Sequence, residues 1–480
     1  MNYKKLTSAS WLLGSPVVVI FWVSMIVSVP SSPLPEKQNE KRMMPRDCSK
    51  EKMDLIKAKP TSEEDTYIRI DCNCNFTSND IITKRLILEG HNANNVIING
   101  NGATIDGGPN NKYNAGSDII QVKSKAFLDG KIWRWERPEN VTVKNFNIIG
   151  SVRVWGMTTN GEGKEYEDYN GRMVNYYKLS SRTAGHVATA KNNAPTGITF
   201  NNITITGTGR IPLYISPGVS YSTLINSEIK GYTGSVGIYL DAESTHNTIK
   251  RNYIHPDTDS KEWFDTNREM IAVDGSSYNE ISCNNFSSLN NGGIYFYRNC
   301  GEGGVIRHTT PSHNSILNNI FYYNQYTGNN AAIHLGSRNA NPPGWEIGSI
   351  GSYCDDENGY PYGSSASNYD YARENVIMGN QICKRYVSQM ILTTNPGLNS
   401  PNYIDHNETV NCDDIRLSDK ITRRAGCYVP NGSTNFISDG KSTYLFKNGE
   451  EIRPVQSANA TCKDGELILI TLQMKNNKLR

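Results

Sequence analysis

Apolar and polar residues alternate along much of the chain in short runs, and the runs recur. Five of them can be aligned: "PLYIS" (212–216), "GIYLD" (237–241), "MIAVD" (270–274), "GIYFY" (293–297) and "AIHLG" (332–336). A second pattern, Asn–x–apolar–x–x–Asn–x–apolar, returns as "NTIKRNYI" (247–254), "NEISCNNF" (279–286), "NSILNNIF" (314–321) and "NVIMGNQI" (375–382), with a weaker copy in "TGITFNNI" (196–203). A period of two is that of a β-strand. With Leu213, Ile238, Ile271, Ile294 and Ile333 equivalent, the steps are 25, 33, 23 and 39 residues. The short steps suit one coil of a solenoid built from strands and turns, and the long ones are coils carrying inserted loops. The pattern predicts an all-β chain, a right-handed parallel β-helix. Equivalent asparagines, 247, 279 and 314 or 252, 284 and 319, are expected to stack at the bends and satisfy backbone groups there.

The same pattern divides the chain. Lys4 and Lys5 precede a run of 19 mostly apolar residues, Trp11 to Val29. Residues 1–30 therefore read as a signal peptide or an uncleaved membrane anchor, with the rest exported. Residues 31–64, with prolines and dense charge, read as a linker. The β-helix is expected over 65–400, and 401–480 as a small disulfide-tied β cap, since solenoids need covered ends. The ten cysteines all follow the apolar run, which agrees with an oxidising, extracytoplasmic location. Cys300 with Cys354 is the expected pairing, because both lie in long loops. The formal charge of +2 implies no field for a nucleic acid.

Period two also sorts side chains into inside and outside. Ile238 and Leu240 point in, so Tyr239 and Asp241 point out. Across neighbouring coils one outward column reads Tyr214, Tyr239, Ala272, Tyr295, His334, and the next reads Ser216, Asp241, Asp274, Tyr297, Gly336. Thr, Ser, Lys and Glu would suit a merely solvated face. Aromatics beside stacked carboxylates, with long loops on either side, predict a groove for a polymer, its aromatic faces stacking on sugar rings.

Asp241 and Asp274 in adjacent coils would sit about 4.8 Å apart. Two such carboxylates do not both ionise easily, so one is expected to keep a proton near neutral pH and the pair to work as acid and base. Hydrolysis of a glycosidic bond is one use of such a pair. A Ca²⁺ site is the alternative use. Arg298, Arg307 or Arg338 could neutralise a uronate carboxylate while Tyr295, His308 or His334 moves a proton, which is the chemistry of a lyase or epimerase. The expected catalytic set is Asp241, Asp274, Tyr295, Arg298 and His308. The expected substrate contacts are Tyr214, Tyr239, Tyr297, Glu302, Arg307, His334 and Arg338.

The stretches "REMIAVDGSSYNEISCNNF", "GGIYFYRNCGEGGVIRH" and "GYPYGSSASNYDYARENVIMGNQI" resemble bacterial exported right-handed parallel β-helix repeat proteins, most specifically over 268–382. The resemblance spans about 65–470 and implies the fold rather than an activity. More distantly, the architecture is similar to pectate lyases, polygalacturonases, alginate lyases and mannuronan epimerases. The polygalacturonase motifs Asn-Thr-Asp, Gly-His-Gly and Arg-Ile-Lys are absent, and the epimerase Asp-Pro-His-Asp has only a rearranged echo in His255 to Asp259. No catalytic residue carries over from them. The expectation is an exported carbohydrate-active protein, a polysaccharide lyase or hydrolase acting on an acidic polysaccharide. The alternative is a non-catalytic glycan-binding or envelope surface protein.

Overall fold

The computed structural model describes residues 45–412, apart from 159–164, 168–169, 261–265, 290–291, 299–304, 324–329, 337–371, 385–390 and 394–401, and short strands between 436 and 468. Three ten-stranded parallel sheets wind about one axis, each coil giving one strand to each sheet. The first sheet runs from Tyr67–Arg69 to Ile391–Thr393, the second from Cys74–Asn75 to Tyr403–Asp405, and the third from Ile81–Ile82 to Glu408–Asn411. This is the parallel β-helix that the repeats predict. The strands that follow, from Phe436–Ser438 to Glu466–Ile468, are antiparallel.

Within each strand the inward residues are apolar. Leu213, Ile238, Ile271, Ile294 and Ile333 lie rung on rung and belong to one continuous core. A slip of one residue would turn that whole set outward, so the core fixes the register. Two asparagine ladders hold the bends. Asn247, Asn279, Asn314, Asn375 and Asn402 form one, each Nδ2 donating to the Oδ1 of the next at 2.8–3.1 Å. Asn252, Asn284, Asn319, Asn380 and Asn407 form the other. The asparagines thus do the turn work expected of them.

A third column occupies the corner between the first and second sheets, at positions with φ between 54° and 71°. It runs Asn95, Asn140, Gly197, Tyr221, His246, Tyr278, then His313 and Glu374. Glycine, asparagine and, to a lesser degree, histidine suit this left-handed backbone, whereas it costs a tyrosine about 1–2 kcal/mol. Stacking offsets part of that: Tyr221, His246, Tyr278 and His313 lie face to face at centroid spacings of 4.9, 5.1 and 4.7 Å. One aromatic pair returns about 0.5–1.5 kcal/mol.

The segment expected as a linker is partly folded. Helix α1, Lys50–Lys57, opens on a Ser49 cap and buries Ile56 in the main core. Cys48 and Cys72 form a disulfide there, and Cys383 and Cys412 form another near the far end of the coils. The expected Cys300–Cys354 pair lies outside the described residues. So does the apolar run Trp11 to Val29, and no helix among the described residues is long and apolar enough to cross a membrane.

Candidate functional site

The two outward columns exist as the strand period dictates. Tyr214, Tyr239, Ala272, Tyr295 and His334 are register partners in five successive coils of the first sheet. Tyr214, Tyr239, Ala272 and Tyr297 form an apolar cluster separate from the inner core. The Tyr214 and Tyr239 rings stack at 4.9 Å, nearly parallel. The column continues upstream to Arg153, the partner of Tyr214, whose guanidinium sits 4.2 Å from the centre of the Tyr214 ring.

Asp241 and Asp274 follow the paired residues Leu240 and Val273, so the carboxylates come together as expected. What joins them is Arg307. Its Nη2 lies 3.3 Å from Asp241 Oδ1, and its Nη1 donates to Asp274 Oδ2. Each tyrosine of the stack adds a bond: Tyr214 donates to Asp241 Oδ2 at 2.7 Å, and Tyr239 donates to Asp274 Oδ2. The Ala242 amide donates to Asp241 Oδ1 at 2.7 Å. Arg298 Nη1 in turn donates to the Arg307 carbonyl at 3.0 Å. Burial pushes the Asp241 carboxyl up to about 6, with Arg307 opposing and Asp274 adding to the rise. The Tyr214 and Tyr239 phenols are held well above their ordinary value by burial and by these carboxylates.

The guanidinium takes the space that a cation between the two carboxylates would need. The Ca²⁺ expectation therefore does not fit this pair.

A cover lies over the cluster. The chain between the strands Ser151–Trp155 and Thr199–Asn201 carries two short helices, α2 (Tyr176–Ser180) and α3 (His186–Asn192). They grip the segment that holds Arg307. Ser181 Oγ accepts from the Ile306 amide at 3.2 Å, and the Ser181 carbonyl pairs with His308 Nε2 at 2.6 Å. His186 packs 4.8 Å from the His308 ring, and Tyr177 packs edge-on against His186. Met157, Tyr177, Ala190 and Val305 close the layer. From below, Glu243 accepts from the amides of His308 and Thr309 at 2.6 and 3.1 Å. Burial lowers the His186 imidazole to about 4, so it is neutral in this layer.

The cover corrects the open groove expected from the sequence. Asp241 and Asp274 have no exposed surface, Tyr214, Arg298 and Arg307 have 1%, and Tyr239 and Tyr297 have 9%. The physical reason is charge. Two adjacent buried carboxylates demand a cation, and the segment from Val305 to Thr309 folds inward to supply Arg307 instead of standing as a groove wall. Tyr297 is similarly engaged: its hydroxyl donates to Glu269 at 2.9 Å and lies 3.1 Å from Arg268. Arg307, Arg298, Tyr214, Tyr239 and Tyr297 are thus internal partners rather than surface contacts. His308 is fixed between Ser181 and Glu243. Tyr295 and His334, half-buried, meet edge to face at 5.2 Å. Glu302 and Arg338 lie outside the described residues.

An open feature lies beside the covered one. A cleft of about 400 Å³ is lined by Arg153, Arg210, Ile211, Tyr232 and Ser235. Arg153 and Arg210 share a single buried carboxylate, Asp118, at 3.4 and 3.5 Å, and the Arg210 side chain is 57% exposed. Two guanidiniums against one carboxylate leave the cleft net positive. Arg153 was within reach of the column argument, one coil upstream in "SVRVW". Arg210, Tyr177, His186 and Glu243 had no such signal, because their roles depend on contacts between distant parts of the chain.

No protein-family model matches the sequence, and neither does any curated protein. Among solved structures, the chain is similar to the Streptococcus pneumoniae surface protein and adhesin PfbA, at 15% identity and a TM-score of 0.36, over 69% of this chain and 76% of that one. It is also similar to the A-module of the Azotobacter vinelandii mannuronan C-5 epimerase AlgE4, at 10% identity and a TM-score of 0.34, over 68% and 73%. A third is the catalytic domain of a GH87 α-1,3-glucanase, at 12% identity and a TM-score of 0.35, over 73% and 60%.

Proposed function

We propose that this chain is an extracytoplasmic β-helix protein that binds an acidic polysaccharide at the edge of its first sheet, through the cleft at Arg153 and Arg210. The cleft carries this reading. An arginine fork matches a carboxylate with two parallel hydrogen bonds, and Arg210 has its fork largely in solvent. Tyr232 and Ile211 offer ring and aliphatic surface beside it for the body of a sugar. The Cys48–Cys72 and Cys383–Cys412 disulfides suit an oxidising compartment. A near-neutral chain has no general attraction for a polyanion, which suits spaced carboxylates along a glycan better than a continuous phosphate backbone.

Calorimetric titration with polygalacturonate, alginate and neutral dextran tests it. A uronate polymer should bind, dextran should not, and added salt should weaken the complex. Arg210→Ala should cost about tenfold or more in affinity, the worth of a hydrogen bond to a charged group. Failure of both uronate polymers to bind, or an Arg210→Ala protein that binds as tightly as the wild type, would end the reading.

A second reading, turnover of the bound polymer, is favoured by the adjacent buried carboxylates of Asp241 and Asp274, since burial raises the Asp241 carboxyl to about 6. In that reading Asp241 is the acid, and the segment 305–309 must lift to admit the substrate. Ultraviolet absorbance reports the unsaturated products of a lyase, and reducing ends report hydrolysis. Product formation that disappears in Asp241→Asn supports turnover, while binding without product leaves the binder.

A further inference from the structure

The aromatic ladder on the corner between the first and second sheets has two different ends. At one end His313 is closed off by Glu374, its Nε2 lying 2.8 Å from the carboxylate. At the other end the ladder stops at Tyr221, which is 59% exposed. The next rung is Gly197, which has no side chain, and the rung beyond it is Asn140. Tyr221 therefore presents one ring face to a missing rung. Two rungs span about 9.6 Å. That is the height of one flat ring laid between the Tyr221 face and the Asn140 amide.

Polar groups border this slot. Asn140 leans into it, its Oδ1 lying 2.7 Å from where a Cβ on residue 197 would stand. Thr196 and Ser220 lie at its base, their hydroxyls 3.0 Å apart. Within the ladder each interior ring has both faces covered by its neighbours, and the stacking only offsets the cost of placing aromatics on a left-handed backbone. Stability alone gives no reason to carry the ladder as far as Tyr221 and stop. A flat face flanked by an amide and hydroxyls has the chemistry that receives a pyranose, one side of the ring on the aromatic and the hydroxyl edge toward the polar wall.

We infer that the gap between Tyr221 and Asn140 is a sugar-stacking subsite for one pyranose ring. It deepens the polysaccharide reading by adding a contact on the opposite edge of the first sheet from the arginine cleft. It selects ring shape rather than charge.

The probe is therefore a neutral monosaccharide, methyl β-glucopyranoside, followed by saturation-transfer NMR. Wild type should transfer saturation to the ring protons. Tyr221→Ala should reduce the signal about five- to tenfold, of the order of one ring contact. Tyr221→Phe should keep it, since the face and not the hydroxyl binds. Gly197→Asn should abolish it by filling the slot; asparagine already occupies the same left-handed corner at 95 and 140, and the Asn140 amide, 2.7 Å from the new Cβ, must turn aside to admit it. Thermal midpoints of the variants check that the fold is kept. Arg210→Ala should leave the glucoside signal intact, so a failed uronate titration and a failed subsite are read separately. No transfer with wild type, or equal transfer with Tyr221→Ala, would overturn the inference. So would a wild-type dimer in sedimentation that Tyr221→Ala dissociates, which would give the slot to a second copy of the chain.

Discussion

Arg307 shows how much one side chain decides. Without it two carboxylates would share a dry layer with only phenols to help them. Removing one partner from a buried ion cluster costs about 3–5 kcal/mol, because the remaining charges are stranded. Arg307→Met should destabilise by that order in urea denaturation at neutral pH. Asp241 should behave differently. Its folded value of about 6 lies above the ordinary 3.8, so the native state binds this proton more tightly than the unfolded chain. The stability it contributes is complete below about pH 3.8 and is lost as pH rises through about 6. Asp241→Asn should flatten the fall in thermal midpoint between pH 4 and 6 and leave the protein at pH 8 as stable as the wild type or more so. An unchanged pH profile would show that Asp241 is ionised throughout.

At the level of elements, the coils are tied by ladders whose rungs depend on one another. Asn284 donates to Ile249 O and Asn319 Oδ1, and its own Oδ1 accepts from the backbone and side chain of Asn252. Replacing it with alanine orphans buried groups on both sides, at about 1–3 kcal/mol for each group left unpaired. Asn284→Ala should therefore be clearly more destabilising than Asn407→Ala at the ladder's end, as chemical denaturation would show. These rungs were legible in the sequence, since a period of two with an apolar interior has one workable register and the asparagines mark its bends. The cover was not legible. Ser181 meets Ile306 and His308 across more than a hundred residues, and α2 and α3 carry no repeat to betray their destination. The columns named Asp241, Asp274, Tyr214 and Tyr239 as neighbours correctly. They could not tell that Arg307 would be drawn in to neutralise them.

Across the whole molecule, the strands of each coil pair only with those of the coils above and below, so away from the cover stability is close to a sum of neighbour terms and the ends are the weak points. Cysteine bridges stand near both: Cys48–Cys72 beside the first coil, and Cys383–Cys412 between the last two strands of the third sheet. Each closes a loop of fewer than 30 residues and is worth about 2–4 kcal/mol. Reduction should speed amide exchange in the strands Tyr67–Arg69 and Glu408–Asn411 while the central strands, such as Ile271–Asp274, keep their protection. Uniform loss of protection would mean that the solenoid unfolds as one unit.

The asparagine ladders also govern where this chain can grow. Asn314 and Asn375 are 61 residues apart, yet their amides meet at 3.0 Å, the same contact that Asn247 and Asn279 make across 32. Added length between two rungs is invisible to the rungs, provided it leaves and rejoins at a corner. Added length within the short span from one ladder to the other, such as Asn314 to Asn319, would move one rung out of line with its neighbours. Novelty in such a protein is therefore channelled outward into loops, and the scaffold beneath them stays the same.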